Sequence, residues 1–131
     1  MIQRIQSVYL LISGISMALV SFKILVYEIG VIKYFASDDI QLFVLTIVIM
    51  VLSLLAFAMF KSRLLQMKFI RLALVLNLVI SIRLILLYFQ FGAQLSISAI
   101  LFVVFSIIAL IMAFRGVLKD EQLIRSADRI R

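Results

Sequence analysis

Along this chain charged residues are confined almost wholly to the gaps between four long stretches that are apolar on every face. A helix buried in a soluble core shows one apolar stripe, whereas one surrounded by hydrocarbon is apolar all round. A bilayer core of about 30 Å is crossed by about 20 helical residues. The first such stretch is Ile5 to Phe22, between Arg4 and Lys23, and it lengthens toward Tyr27 if Lys23 reaches up to the surface. The second, Ile40 to Phe60, follows Asp38 and Asp39, which suit a helix start as cap and dipole partners, and it stops at Lys61. A third begins near Phe69 and reaches about Tyr88 to Phe91. The fourth covers about Leu95 to Phe114, behind a tight turn at Phe91 to Gln94. The pattern predicts an all-α membrane protein, a four-helix bundle with spans at about 5–27, 40–60, 69–90 and 95–114 and a tail over 115–131. Between the first two spans, Ile24 to Phe35 reads equally as a short β-hairpin or an interfacial helix.

Composition strengthens this reading. A 131-residue chain that is 66% hydrophobic, with mean hydropathy +1.30, carries more apolar surface than a soluble fold of its size can hide. Proline is absent, which favours unbroken helices. So are cysteine and histidine, which removes disulfides, thiolate nucleophiles, the usual zinc ligands and the usual neutral-pH proton carrier; no metal or cofactor is expected. Arg4, the apolar run behind it and Ser16-Met17-Ala18 mimic a secretory signal, but the run continues through Leu19, Val20 and Phe22, as a retained span does.

The net charge of +7 is distributed as a membrane protein distributes it, and points to no nucleic acid. Four basic residues and no acid (Lys61, Arg63, Lys68, Arg71) lie in the second connection, and Arg115, Lys119, Arg125, Arg129 and Arg131 lie in the tail. The first connection sets Lys23 and Lys33 against Glu28, Asp38 and Asp39, and the third is uncharged. Basic residues are retained on the cytoplasmic side, so both ends are expected there, N-in and C-in.

Few side chains in the spans invite chemistry. Arg83 stands about 18 Å along the helix from Arg71, in the far half of the slab, where its guanidinium either reaches the headgroups or pairs with Glu28, Asp38 or Asp39. Asn77 needs a hydrogen-bond partner that lipid does not offer. Ser81 is about 40° from Asn77 around the helix and Arg83 about 120°, so these groups make no single polar stripe, and Asn77 with Ser81 reads as glue between helices. Gly14 with Ala18, and Ala109 with Ala113, permit close helix packing. Tyr9, Tyr27, Tyr34 and Tyr88 suit the interfaces. In the tail, Lys119-Asp120-Glu121-Gln122 leads into Leu123, Ile124, Ala127 and Ile130, an apolar stripe flanked by Arg125, Asp128 and Arg129 on a helix that continues the fourth span. Another protein, the basic connection of the same chain or the membrane surface could cover that stripe.

The opening Met1-Ile2-Gln3-Arg4-Ile5-Gln6, leading into Tyr9-Leu10-Leu11, and the closing Lys119-Asp120-Glu121 with Leu123-Ile124-Arg125-Ser126-Ala127-Asp128-Arg129-Ile130-Arg131 resemble a family of small bacterial four-span membrane proteins classed as a domain of unknown function. The resemblance implies coverage of the whole chain and a place in the bacterial inner membrane, and supplies no mechanism. The expectation is a non-enzymatic accessory subunit, in contact with membrane lipids, whose tail docks on a larger inner-membrane complex such as a secretion or translocation machine. The alternative is a small transporter or channel using Arg83 and Asn77. An enzyme is the weakest reading, because no acid, base and nucleophile converge. Since the chain lacks cysteine, the topology is tested by single-cysteine variants at Ser37, Ser62, Ala93 and Ser126; an impermeant thiol reagent applied outside the cell should label the first and third only.

Overall fold

The computed structural model describes the backbone of residues 2–128, and the side chains of these other than 2–4, 125, 127 and 128. Its elements are α1 (Ile2–Phe22), β1 (Leu25–Ile29), β2 (Ile32–Phe35), a 3₁₀ turn (Ala36–Asp38), α2 (Ile40–Ala58), α3 (Arg63–Phe91), β3 (Gln94–Leu95) and α4 (Ile97–Asp128). All four α-helices are long and apolar enough to cross a membrane, and only 28% to 44% of each span lies buried inside the bundle. The outward majority is apolar surface of the kind lipid covers.

The helices close a ring in which α1 packs on α2 and α4, and α3 completes it between them. Both described ends of the chain and the Met59–Ser62 turn lie at one end of this bundle; the strands lie at the other. α1 stops at Phe22, and the residues expected to prolong it toward Tyr27 form β1 instead. β-branched and aromatic residues around Glu28-Ile29-Gly30 favour the hairpin, and Gly30, at φ 62°, takes the first central position of a two-residue turn that a side chain would strain. The third connection carries a further strand: Gly92 ends α3 in the left-handed conformation (φ 60°), and Gln94 and Leu95 pair with Glu28 and Tyr27. The resulting antiparallel sheet has the order β2-β1-β3. Ala93 is wholly buried there, so the exposed Gln94 is the better labelling position on that connection. The second connection contracts to a turn, with Arg63, Lys68 and Arg71 on the first turns of α3. Asp39 caps α2, its Oδ1 accepting from the backbone N–H groups of Gln41 (3.0 Å) and Leu42 (3.4 Å).

Inside the ring one polar side chain from each helix meets the others. Ser13 Oγ of α1 lies 2.8 Å from Ser106 Oγ of α4 and 3.3 Å from Ser53 Oγ of α2, and Asn77 Nδ2 of α3 donates to Ser106 Oγ at 3.3 Å. Each hydroxyl has one proton, which sets the direction of the chain of bonds. Ser53 donates to the Ile49 carbonyl, so Ser13 donates to Ser53 and Ser106 to Ser13. The chain therefore runs from Asn77 through Ser106, Ser13 and Ser53 to a backbone oxygen. A second link, Ser21 donating to Thr46 Oγ1 at 2.7 Å, ties α1 to α2 nearer the sheet. Around these groups pack Leu10, Met17, Ile49, Ile80 and Leu110, each at most 1% exposed. Interhelical hydrogen bonds in membranes contribute about 0.6 kcal/mol on average and about 1.7 at most. Ser13→Ala removes two of them, and should lower stability by about 1–2 kcal/mol in detergent-driven unfolding followed by circular dichroism. An unchanged midpoint would show the chain of bonds to be incidental.

Candidate functional site

At the end of the bundle that carries the termini, two separate segments converge on the extension of α4. Gln6 lies in the second turn of α1 and is buried against Gly116. A Cβ at Gly116 would stand 2.6 Å from Gln6 Cγ, so glycine is what lets the two helices approach here. One turn farther along α4, on the same face, Asp120 Oδ2 accepts from Gln6 Nε2 at 2.9 Å. The backbone carbonyl of Asp120 faces Arg63 Nη1 at 3.4 Å, which brings in the start of α3. Beside this clasp a groove of about 670 Å³ opens between Phe60, Lys61, Arg63 and Leu64 on one side and Glu121 and Ile124 on the other. Across the start of α3, Arg71 lies over the Phe114 ring, 5.2 Å from its centroid, which holds the base of the α4 extension against α3.

The clasp divides the tail residues expected to meet a partner. Asp120 faces its own chain and is 9% exposed, with Gln6 donating to its carboxylate and Arg63 to its backbone carbonyl. Glu121 is half-buried on the groove wall. Lys119, Leu123 and Ile124 are exposed. The side chains of Arg125, Ala127 and Asp128, and Arg129 and Ile130 entirely, lie outside the described residues. The helix itself continues unbroken from the span to Asp128.

Arg83 and Asn77 occupy different surroundings. Arg83 Nη2 lies 3.5 Å from Asp39 Oδ2, so of the acids proposed for it the helix cap is the one that pairs, and Asp39 serves α2 with one oxygen and α3 with the other. Next to them Tyr27 is buried, and burial first, then the nearby Asp39, holds its hydroxyl above the usual tyrosine range. It stays neutral at physiological pH. Asn77 bridges to α4 through its Nδ2 bond to Ser106 Oγ. Ser81, offset toward the rim of the buried face, donates back to the Asn77 carbonyl of its own helix at 2.9 Å and bridges to no other helix among the described residues. A void of about 10 Å³ among Val20, Leu42, Ile80 and Val103 is at the lower limit for one water, and its lining is apolar apart from Thr46.

Sequence reasoning passed over Gln6, Ser13, Ser106 and Gly116. Gln6 stands within the opening motif and Asp120 within the closing one, so the signal for the clasp was the pair of motifs taken together. A family described as a domain of unknown function, DUF4293, has a model that matches residues 2–130, and the chain belongs to it. No curated protein and no solved structure matches.

The close approach at Gly116 generates a two-step prediction. Gly116→Ala should destabilise the folded protein by about 1–3 kcal/mol through overpacking, and Gln6→Ala in the same chain should restore most of the loss. Additive losses in the double variant, measured by the same unfolding titration, would refute the contact.

Proposed function

We propose that this protein is a non-enzymatic accessory subunit of a larger assembly in the bacterial inner membrane, with both termini in the cytoplasm and the end of α4 as its docking element. One observation carries the reading. Immediately beyond the point where Asp120 is tied to Gln6 and Arg63, Leu123 and Ile124 stand exposed on a helix whose base is held fixed. Apolar side chains presented on a preorganised helix bind a partner with little further loss of conformational freedom.

The orientation rests on charge. Lys61, Arg63, Lys68, Arg71, Arg115 and Lys119 gather at the terminal end, whereas at the sheet end Lys23, Lys33 and Arg83 are balanced by Glu28, Asp38 and Asp39. The positive-inside rule assigns the first set to the cytoplasm. Support for docking over transport comes from the spans themselves, where Asn77 and the serines bond to one another and Arg83 is engaged at the far end, so the two residues a path would need do not share one. A secretion or translocation complex is the class of partner in view.

Removal of the whole tail from Lys119 would also break the clasp, so point replacements make the sharper test. A tagged wild-type chain, purified from its membrane in mild detergent, should bring down a defined larger complex by mass spectrometry. Leu123→Asp with Ile124→Asp should reduce its recovery at least about tenfold, a change of about 1.4 kcal/mol in affinity, at equal yield of the chain itself. Recovery of both proteins alone, or with the same companions, would overturn the reading.

A further inference from the structure

At the sheet end a second groove, about 480 Å³, runs between α2 and α3. Its size falls within the range of small-molecule sites, about 300–1,000 Å³. Ile40, Val44, Leu45 and Val79 make its walls, with Gln41 and Arg83 at its head. One helical turn separates Val79 from Arg83, and one separates Val44 and Leu45 from Ile40 and Gln41, so the apolar part lies deeper in the slab and the polar part toward the headgroups.

The head of this groove is short of acceptors. A guanidinium has five N–H donors. That of Arg83 makes one ion pair, at 3.5 Å, longer than the roughly 2.7–2.9 Å of a strong charge-assisted bond, and its Nε finds no acceptor among the described residues. The side chain is nonetheless 31% exposed and so open to a further group. Asp39 faces it as the paired carboxylate, and Asp38, its neighbour in sequence, is exposed. Basic and acidic residues at this end are equal in number, Lys23, Lys33 and Arg83 against Glu28, Asp38 and Asp39. A ligand bearing both signs is matched by such a site, whereas a net anion is opposed by the two aspartates.

We propose that this groove binds one zwitterionic phosphoglyceride from the sheet-side leaflet, with its phosphate on Arg83, its ammonium toward Asp38 and Asp39, and an acyl chain along Val44, Leu45 and Val79. The site is independent of the docking element at the opposite end. An inorganic phosphate would engage Arg83 but leave the apolar walls without a ligand, so the site commits to the lipid.

The test uses the whole protein, purified in mild detergent, stripped of lipid by detergent exchange and examined by native mass spectrometry. Dioleoyl phosphatidylethanolamine, dioleoyl phosphatidylglycerol and inorganic phosphate are added in separate arms. The wild type should hold one phosphatidylethanolamine per chain, with phosphatidylglycerol retained at least about fivefold less and phosphate unable to displace the lipid. Arg83→Gln should lower retention about tenfold. Val44→Trp, which fills the groove and leaves Arg83 in place, should lower it comparably and carries the test if the Arg83 variant does not fold. Equal retention of both lipids by the wild type and by Val44→Trp would identify ordinary surrounding lipid and overturn the proposal. Displacement by phosphate alone, or no bound lipid in the wild type, would overturn it as well.

Discussion

Hydrocarbon accepts no hydrogen bond, and the rest of this structure depends on that constraint. A polar group carried into the spans costs free energy unless it finds a partner within the bundle. The chain from Asn77 through Ser106, Ser13 and Ser53 pairs one residue from each helix, so bonding these groups and choosing which helices meet are a single event, although Asn77 Oδ1 finds no partner among the described residues. Apolar packing alone would be far less selective, because a leucine face is equally content against lipid or against another helix. Small residues make the meeting possible. Gly116 brings α4 close to α1, whereas at Gly14 a Cβ would make only ordinary contact with α2, 3.7 Å from Ser53 Cβ; the buried Ala109 and Ala113 thin the face of α4.

The two ends of the bundle are closed by different means. At one, a three-stranded sheet ties the first and third connections together, and Asp39 joins α2 to α3 through its cap and its ion pair with Arg83. At the other, Gln6 and Arg63 converge on Asp120, so the beginning of α1 and the start of α3 both hold the extension of α4. Among the described residues, two of the places where exposed polar and apolar groups meet are the Leu123 and Ile124 face next to the basic groove and the head of the groove between α2 and α3. These are the surfaces where binding energy is available without taking apart the bundle.

Much of this was legible in residue order, because span length and all-round hydrophobicity are local properties. The four spans, the helical run into the tail and the cap at the start of α2 follow from composition within windows of about 20 residues. Boundaries were less legible. Lys23 ends α1 without being carried up by it, since the strand-forming residues from Leu25 onward gain a ladder with β2 that a further helical turn would forgo. β3 is only two residues long and has no periodicity of its own; it exists because Glu28 and Tyr27 offer it an edge.

Residue order alone was enough to show that this chain forms four helices suited to hydrocarbon, that most of its basic residues lie in the second connection and the tail, and that Arg83 had either to reach the headgroups or to pair with an acid. Each of these is set by the chemistry of single residues and their near neighbours. Packing of the helices was needed to select which acid answered Arg83, which of several serines closed the interior chain, and that Asp120 would turn inward rather than outward. Such choices join residues as far apart as Gln6 and Asp120, separated by 114 positions, and depend on how helices rotate and approach once packed. No local pattern encodes that geometry.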